Sequence, residues 1–120
     1  LANVLGRQLR VAEAEACLRH AVALHPGFAE AWYNLAHLLE SRGDAVAARR
    51  CLERAVDADD AFADAIYNLA RLLLIAGEPV AAAPLYERYL ALDPSSLWAA
   101  RARQSLRLCR LLRRIPEKPP

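Results

Sequence analysis

A Tyr-Asn dipeptide occurs twice in the chain, and it holds the residues whose chemistry is most suggestive. Tyr33-Asn34 returns as Tyr67-Asn68, 34 residues later. An asparagine carboxamide both donates and accepts hydrogen bonds, so it can bind the N–H and C=O of a peptide backbone together, whatever the side chain. The repeated pair therefore indicates binding of an extended chain rather than catalysis.

The other reactive side chains do not combine into a recognisable site. Cys17 and His20 are one helical turn apart and His25 follows, but no second pair of Cys or His completes a zinc site. We expect Cys17 to be a core thiol beside surface histidines, and we expect no metal or other cofactor. The chain also lacks a G-x-S-x-G motif and a phosphate-binding loop, so no catalytic residue is predicted and the chain is not expected to be an enzyme.

The recurrence extends well beyond the dipeptide. Residues 29–36 return as residues 63–70, and Gly43 returns as Gly77. A fixed period of this length indicates stacked helical units rather than one globular core. One period earlier, the same register predicts a third copy whose first helix is cut at Leu1.

Each period predicts two helices joined by a tight turn. Apolar residues over 30–41 fall at helical spacing, and a second helix is predicted over about 45–58. Between them, Gly43 supplies the positive φ that ends a helix, and Asp44 is a favourable N-cap for the next one.

The pair is predicted again at 64–75 and 79–92, although Pro84 should kink the second helix or delay its start. Leu9 stands where the later turns have glycine, so the first turn is expected to be atypical. Beyond residue 96 the register decays into one longer helix over 97–114, which we interpret as a cap.

This pattern resembles the tetratricopeptide repeat, whose signature is W-x2-L-G-x2-Y, then A-x3-F, then A and P. The second copy follows it at Trp32, Leu35 and Ala36, and the third has Ile66 in the tryptophan position. The resemblance implies an all-α fold, a right-handed α-α solenoid of about seven antiparallel helices. The implied divisions are a truncated first repeat (1–28), a second (29–62), a third (63–96), a C-terminal capping helix (97–114) and a Pro-rich tail or linker (115–120).

Ligands of this family usually lie along the concave face, which the first helix of each repeat lines. The resemblance implies a peptide-binding groove formed by Glu30, Tyr33, Asn34, His37, Ser41, Asp64, Tyr67, Asn68, Arg71 and Ile75. The two asparagines resemble the asparagine ladder of superhelical tetratricopeptide arrays such as that of O-GlcNAc transferase. Chaperone-binding members instead hold an acidic C-terminus with a clamp of Lys, Asn, Asn, Lys and Arg. Asp64 and Asn68 replace the second Lys and the Arg of that clamp, so it is not expected here.

Charge is distributed unevenly along the chain. Residues 1–96 carry 9 basic and 13 acidic side chains, whereas residues 97–120 carry 7 basic and 1 acidic. The Arg-rich end could meet an acidic partner or nucleic acid. However, no aromatic residue follows Trp98 to stack on bases, so we favour a solvated cap with cations near its helix C-terminus.

No apolar run approaches the roughly 18 residues of a membrane span, and no signal peptide is recognised. Cys17 and Cys51 are one period apart, and packed helices lie about 8–10 Å apart, beyond the roughly 7 Å that a disulfide spans, so we expect free thiols and a reducing, cytoplasmic setting.

The residues favour a non-catalytic module that binds an extended peptide, or a helix of a protein partner, in the groove. One alternative is a targeting or substrate-recruiting arm of a larger enzyme, such as a glycosyltransferase. That alternative places the catalytic domain outside this sequence, which does not begin with Met and becomes Pro-rich after Arg114. Another is self-association into a homo-oligomer through the cut N-terminal edge at Leu1, Val4 and Leu5.

Overall fold

The computed structural model describes the backbone of residues 2–113 and the side chains of residues 6–113. Within that range the chain is entirely helical, and the all-α fold class is confirmed. The helices are α1 (Ala2–Leu24), α2 (Ala29–Ser41), α3 (Ala45–Ala58), α4 (Ala63–Ile75), α5 (Pro79–Leu92) and α6 (Leu97–Arg113). The Pro-rich tail at 115–120 and the side chains of the proposed N-terminal edge at Leu1, Val4 and Leu5 lie outside the described residues.

The described residues form six helices where about seven were expected, and the difference lies in α1. This helix runs for 23 residues without a break at Leu9. The equivalent positions are Gly43 and Gly77, which adopt φ of 84° and 81° and end their helices. A residue with a side chain costs about 1–2 kcal/mol in that left-handed conformation, so Leu9 continues the helix instead of turning it. The helix pair of the first repeat is therefore replaced by one long helix.

The chain divides into two compact units, Leu1–Phe62 and Ala63–Pro120. In the first unit, α2 packs against α3, and Ala36 and Ala48 are both buried at positions where small side chains let two helices approach closely. Glu15 on α1 contacts Arg42, at the C-terminal end of α2, with 2.6 Å between Oε1 and Nη1. It also accepts a 3.0 Å hydrogen bond from Arg19, so a half-buried carboxylate joins α1 to the end of α2.

The second unit repeats the pairing with α4 and α5 and adds α6 against α5. Ala70 and Ala82 are fully buried, as their counterparts are in the first unit. Pro84 lies within α5, and the helix still begins at Pro79, so the start is not delayed. Pro84 and Val80 are both exposed. The Val80 carbonyl, which loses its helical partner at Pro84, is therefore near solvent that can hydrogen-bond to it.

Backbone capping fixes the turns within the repeats. Gly43 N–H donates to the Glu40 carbonyl and Asp44 N–H to the Leu39 carbonyl, both at 2.9 Å. The Asp44 side chain then accepts from Ala47 N–H at 3.1 Å, which confirms it as the N-cap of α3. The turn at Gly77 has the same backbone pattern.

Candidate functional site

The five predicted groove residues of the first unit all lie on α2. None of Glu30, Tyr33, Asn34, His37 and Ser41 belongs to the core, and all but the half-buried Tyr33 are exposed. Apart from the adjacent Tyr33 and Asn34, successive residues of this set are three or four positions apart, which places them along one side of the helix. The structure therefore presents them together on the surface of this unit.

Aromatic contacts fix Tyr33 beside Asn34. The Tyr33 ring lies 5.0 Å from the Phe62 ring and 5.4 Å from the His37 ring, with the His37 contact edge-on at 77°. The Asn34 carboxamide is exposed, and it makes no hydrogen bond with any other residue that the structure describes. Its donor and acceptor are both available to a ligand.

The equivalent residue of the second unit, Asn68, is in a different state. It is half-buried, its Nδ2 donates to the Asp64 carbonyl at 2.8 Å, and its Oδ1 accepts from Arg71 Nη2 at 3.1 Å. Both ends of this carboxamide are therefore engaged within α4. Arg71 takes the place of His37 in this repeat, and only its long guanidinium side chain reaches back to Asn68.

Tyr67 is part of an aromatic cluster rather than an isolated surface ring. Its ring centroid lies 5.1 Å from Tyr89, 5.6 Å from Trp98 and 6.0 Å from Tyr86. Tyr86 and Tyr89 are buried, and Trp98 carries the Arg101 guanidinium 5.0 Å from its ring centroid. Of the remaining predicted residues in this unit, Asp64 and Ile75 are exposed.

A hydrogen-bonded junction links α5 to α6. The Tyr89 hydroxyl donates to Asp93 Oδ2 at 2.7 Å, and the Ser96 hydroxyl donates to the same oxygen at 2.5 Å. Ser96 Oγ in turn accepts from Ala99 N–H, so Ser96 is the residue that caps α6. The hydrogen bonds from Ser96 and Tyr89 lower the pKa of Asp93. Burial, together with the hydrogen bond to Asp93, raises the pKa of Tyr89.

Sequence reasoning missed a second surface feature, around Trp32. The indole N–H donates to the Pro26 carbonyl at 2.8 Å, and the Arg54 guanidinium lies 5.9 Å from the ring centroid. An open cleft of about 400 Å³ adjoins them, lined further by Arg50, Cys51, Glu53 and Asp57. Trp32 stands at the signature tryptophan position, and no local sequence signal distinguishes its partly exposed state from burial.

The expectation that Cys17 is a core thiol is wrong. Cys17 is exposed, whereas Cys51 and Cys109 are buried, and all three are free. Cys51 lies on α3, which packs against α2. The equivalent part of α1 has no preceding helix folded against it, because no turn forms at Leu9. Burial raises the pKa of both Cys51 and Cys109.

Neither a metal-binding cluster nor a membrane-spanning helix is found among the described residues. Residues 6–113 contain no group of three or more His, Cys, Asp or Glu side chains arranged to hold a metal ion. Across the described helices, none combines the length and the apolar character that spanning a membrane requires.

The helix pairs and their turns match those of a known family of repeat proteins. One family model, described as tetratricopeptide repeat, matches residues 36–96, and a second with the same description matches residues 17–50. The chain belongs to the tetratricopeptide repeat family. No curated protein sequence matches this tetratricopeptide chain.

Solved structures show the same tetratricopeptide fold. MamA protein is 29% identical with a TM-score of 0.75, and the match covers 86% of this chain and 55% of MamA. This chain thus spans about half of the length of MamA. The Yersinia enterocolitica type III secretion chaperone SycD, in complex with a peptide of the translocator YopD, is 15% identical with a TM-score of 0.76, over 94% of this chain and 89% of SycD.

A further structure, the first tetratricopeptide domain of Spaghetti bound to the HSP90 peptide SRMEEVD, is 20% identical with a TM-score of 0.72. That match covers 91% of this chain and 86% of the domain. At such identities the SycD and Spaghetti structures establish the shared fold alone. The assignment of the ten groove residues stays a prediction.

Proposed function

We propose that this chain is a non-catalytic protein-interaction module that binds an extended peptide segment, with Asn34 as its main contact to the peptide backbone. The observation that carries the proposal is the exposed Asn34 carboxamide, beside a tyrosine ring held by two aromatic neighbours. Membership of the tetratricopeptide family supports it, as do the peptides bound by SycD and by Spaghetti on the same fold.

Asn34 is suited to hold a peptide without selecting its sequence. Its carboxamide can accept from a backbone N–H and donate to the C=O of the same residue, as a neighbouring strand does. Preference for particular ligands then comes from its neighbours on α2, the exposed Glu30 and His37. Glu30 favours a ligand that carries a positive side chain at the matching position.

The corresponding surface of the second unit would bind a ligand less readily. Because the Asn68 carboxamide already bonds Asp64 and Arg71, a ligand has only its second N–H and the second lone pair of its oxygen to use. Asp64 is exposed and acidic, and it repels a terminal carboxylate. The preferred ligand is therefore an internal peptide segment rather than an acidic C-terminus such as the HSP90 peptide held by Spaghetti.

A random peptide library tests the proposal. Peptides of about seven residues span roughly 23–25 Å when extended, slightly more than the roughly 20 Å length of a 13-residue helix such as α2. Peptides selected on the whole chain are measured by fluorescence anisotropy with the wild type and with Asn34→Ala. Two lost hydrogen bonds, each contributing about 0.5–1.5 kcal/mol, predict a Kd about 5- to 150-fold weaker. Asn68→Ala should have a smaller effect.

Gln8→Ala is the matched control, because it removes another exposed carboxamide, from α1. N-methylation along the peptide locates the contact: one methylated position should weaken binding to the wild type but not weaken binding to Asn34→Ala further. If no peptide is enriched, or if Asn34→Ala binds as tightly as Gln8→Ala, the proposed role of Asn34 is wrong.

A further inference from the structure

One side of helix α1 is less covered than the matching side of its counterparts in the later repeats. Ala14, Leu18 and Ala21 of α1 are half-buried, and we name these three residues the α1 seat. The residues one and two periods later are at most 2% exposed, and they are Ala48, Leu52, Ala55, Ala82, Tyr86 and Tyr89. In those repeats a preceding helix packs on the second helix, α2 on α3 and α4 on α5. Among the described residues, no preceding helix packs on α1 in this way.

The sequence contains a segment with the residues that suit the α1 seat. A Leu-Ala-x-x-Leu pattern supplies buried residues of both α2 and α4, the helices that cover α3 and α5. The same pattern occurs a third time at the start of the chain, and the three copies begin at Leu35, Leu69 and Leu1. Residues 1–7, which we name the N-terminal segment, therefore carry the packing pattern of the first helix of a repeat.

The continuous α1 keeps the N-terminal segment away from the seat of its own chain. Ala36 and Ala48 are buried on α2 and α3, two helices that pack against each other. Their equivalents Ala2 and Ala14 lie on one uninterrupted helix, about 18 Å apart along its axis. Because no turn forms at Leu9, the two parts of the first repeat cannot meet within one copy.

We propose that the N-terminal segment of a second copy of this chain occupies the α1 seat, so that two copies exchange these segments. The exchange is symmetric, since each copy gives one segment and receives one. In each seat the incoming segment makes the contacts that α2 makes with α3, with leucine and alanine at the same positions. This interface lies on α1 and does not depend on Asn34, so either proposed role can fail without the other.

The character of position 9 favours exchange between copies. Leu9 is 65% exposed, and it stands where the later repeats have Gly43 and Gly77 between their two helices. Two antiparallel copies of α1 that exchange segments would therefore cross close to Leu9. At the crossing the two Leu9 side chains lose exposed area together, and the stabilisation is proportional to the apolar area removed from water. Glycine would permit the turn within one copy, whereas leucine favours the continuous helix that the exchange requires.

Sedimentation equilibrium on the whole chain tests whether the dimer forms. Runs from about 1 µM to about 1 mM cover dissociation constants across that range, and we expect a monomer–dimer equilibrium within it. Cys17 reports on the seat, because it is exposed whereas its counterpart Cys51 is buried. Its rate of reaction with excess maleimide should fall as the dimer fraction rises. Cys17 should still react before Cys51 and Cys109, because dissociation exposes it without unfolding.

Two matched substitutions on α1 locate the interface. Ala14 precedes Ala48 and Ala82 by one and two periods, and both of these are 0% exposed, so an arginine at position 14 would obstruct the incoming segment. Ala16 is exposed, and one period later stands the exposed Arg50, so an arginine has room there. Because each dimer has two seats, Ala14→Arg should weaken it at least about 30-fold, and Ala16→Arg should leave the Kd within about twofold. Circular dichroism first shows that both variants are as helical as the wild type.

A restored turn tests the origin of the exchange. Leu9→Gly with Arg10→Asp gives the first repeat the turn residues of Gly43 and Asp44. We expect this double variant to fold its N-terminal segment onto its own seat, so it should be monomeric with Cys17 protected at every concentration. Leu9→Ala keeps a residue that continues the helix and should still form a dimer, with a weaker affinity because the leucine contact is lost.

Three results would overturn the proposal. The first is a wild-type monomer at every concentration with Cys17 reactive throughout, which would mean that the seat stays open. The second is a wild-type monomer with Cys17 protected, which would mean that the same chain fills its own seat. The third is a dimer that Ala14→Arg and Ala16→Arg leave equally strong, which would place the contact between copies on another surface.

Discussion

Replacing Tyr89 with phenylalanine tests how the junction between α5 and α6 is held. Tyr89 is 2% exposed, and its hydroxyl donates to Asp93 Oδ2 at 2.7 Å. Phenylalanine keeps the ring and its contact with Tyr67, so the substitution opens no large cavity. It removes one hydrogen bond and leaves Asp93 with the bond from Ser96.

The expected loss of stability follows from that single bond. A side-chain hydrogen bond contributes about 0.5–1.5 kcal/mol net, so we expect Tyr89→Phe to lower the free energy of unfolding by about 1 kcal/mol at neutral pH. For a chain of this size that corresponds to a fall in Tm of about 3–6 °C. Urea denaturation followed by circular dichroism measures the free energy, and calorimetry measures the Tm.

The pH dependence makes the test specific. Hydrogen bonds from Ser96 and Tyr89 lower the pKa of Asp93 in the folded state. A lowered pKa stabilises the fold above the unfolded value of about 3.9, and that contribution is lost as pH falls through the folded value. The difference in unfolding free energy between the wild type and Tyr89→Phe should therefore be complete at pH 7 and become smaller below about pH 4.

Tyr86→Phe is the control for this experiment. Tyr86 is also buried, but its hydroxyl bonds Ser105, which does not titrate. The loss of unfolding free energy in Tyr86→Phe should therefore be the same at pH 7 and at acid pH. If Tyr89→Phe is as stable as the wild type, the junction is not held by this bond. If Tyr89→Phe loses the same unfolding free energy at pH 3 as at pH 7, as Tyr86→Phe should, the stabilising partner of Tyr89 is not the ionised Asp93.

The remaining predictions concern the turns, the core and the thiols. Gly43→Ala should lower the free energy of unfolding by about 1–2 kcal/mol, because φ is 84° there, although no atom crowds an added Cβ. Gly27→Ala, also uncrowded but without a positive φ, should cost less in the same urea titration, and equal losses would contradict the role of φ. Ile66→Ala should lower the free energy of unfolding by about 2–5 kcal/mol because Ile66 is fully buried. Ile75→Ala, at a position 71% exposed, should change it by no more than about 0.5 kcal/mol. Cys17 should react with a thiol reagent before the two buried cysteines, whose reaction should await unfolding; three equal rates in the native state would refute the assigned burial.

The helix boundaries of the later repeats could be predicted closely from the sequence. The intervals 45–58 and 79–92 coincide with α3 and α5, and the others agree within one residue. Local chemistry decides these boundaries: a glycine that accepts a positive φ, an aspartate that caps, and a proline at the first helical position. Such signals act over a few residues and are written in the sequence.

Features that depend on longer-range packing could not be predicted in the same way. Leu9 indicated an atypical turn, but the choice between an altered turn and one uninterrupted helix depends on whether packing contacts stabilise the turn. The exposure of Cys17 follows from that choice. Asn34 and Asn68 have closely similar local sequences, yet only Asn68 donates to the backbone carbonyl four residues earlier and accepts from the residue three positions later.

The contrast between Asn34 and Asn68 shows how tandem copies of one motif can diverge without any cost to the scaffold. Two copies with the same Tyr-Asn pair begin as equals, and in the second copy the Asp64 carbonyl and the Arg71 guanidinium each bond one end of the carboxamide. At that copy a ligand shares the carboxamide oxygen with an internal guanidinium, whereas the Asn34 carboxamide bonds no other residue that the structure describes. Exchanging His37 and Arg71 should thus move the guanidinium contact from Asn68 to Asn34, while every buried packing position stays as it is.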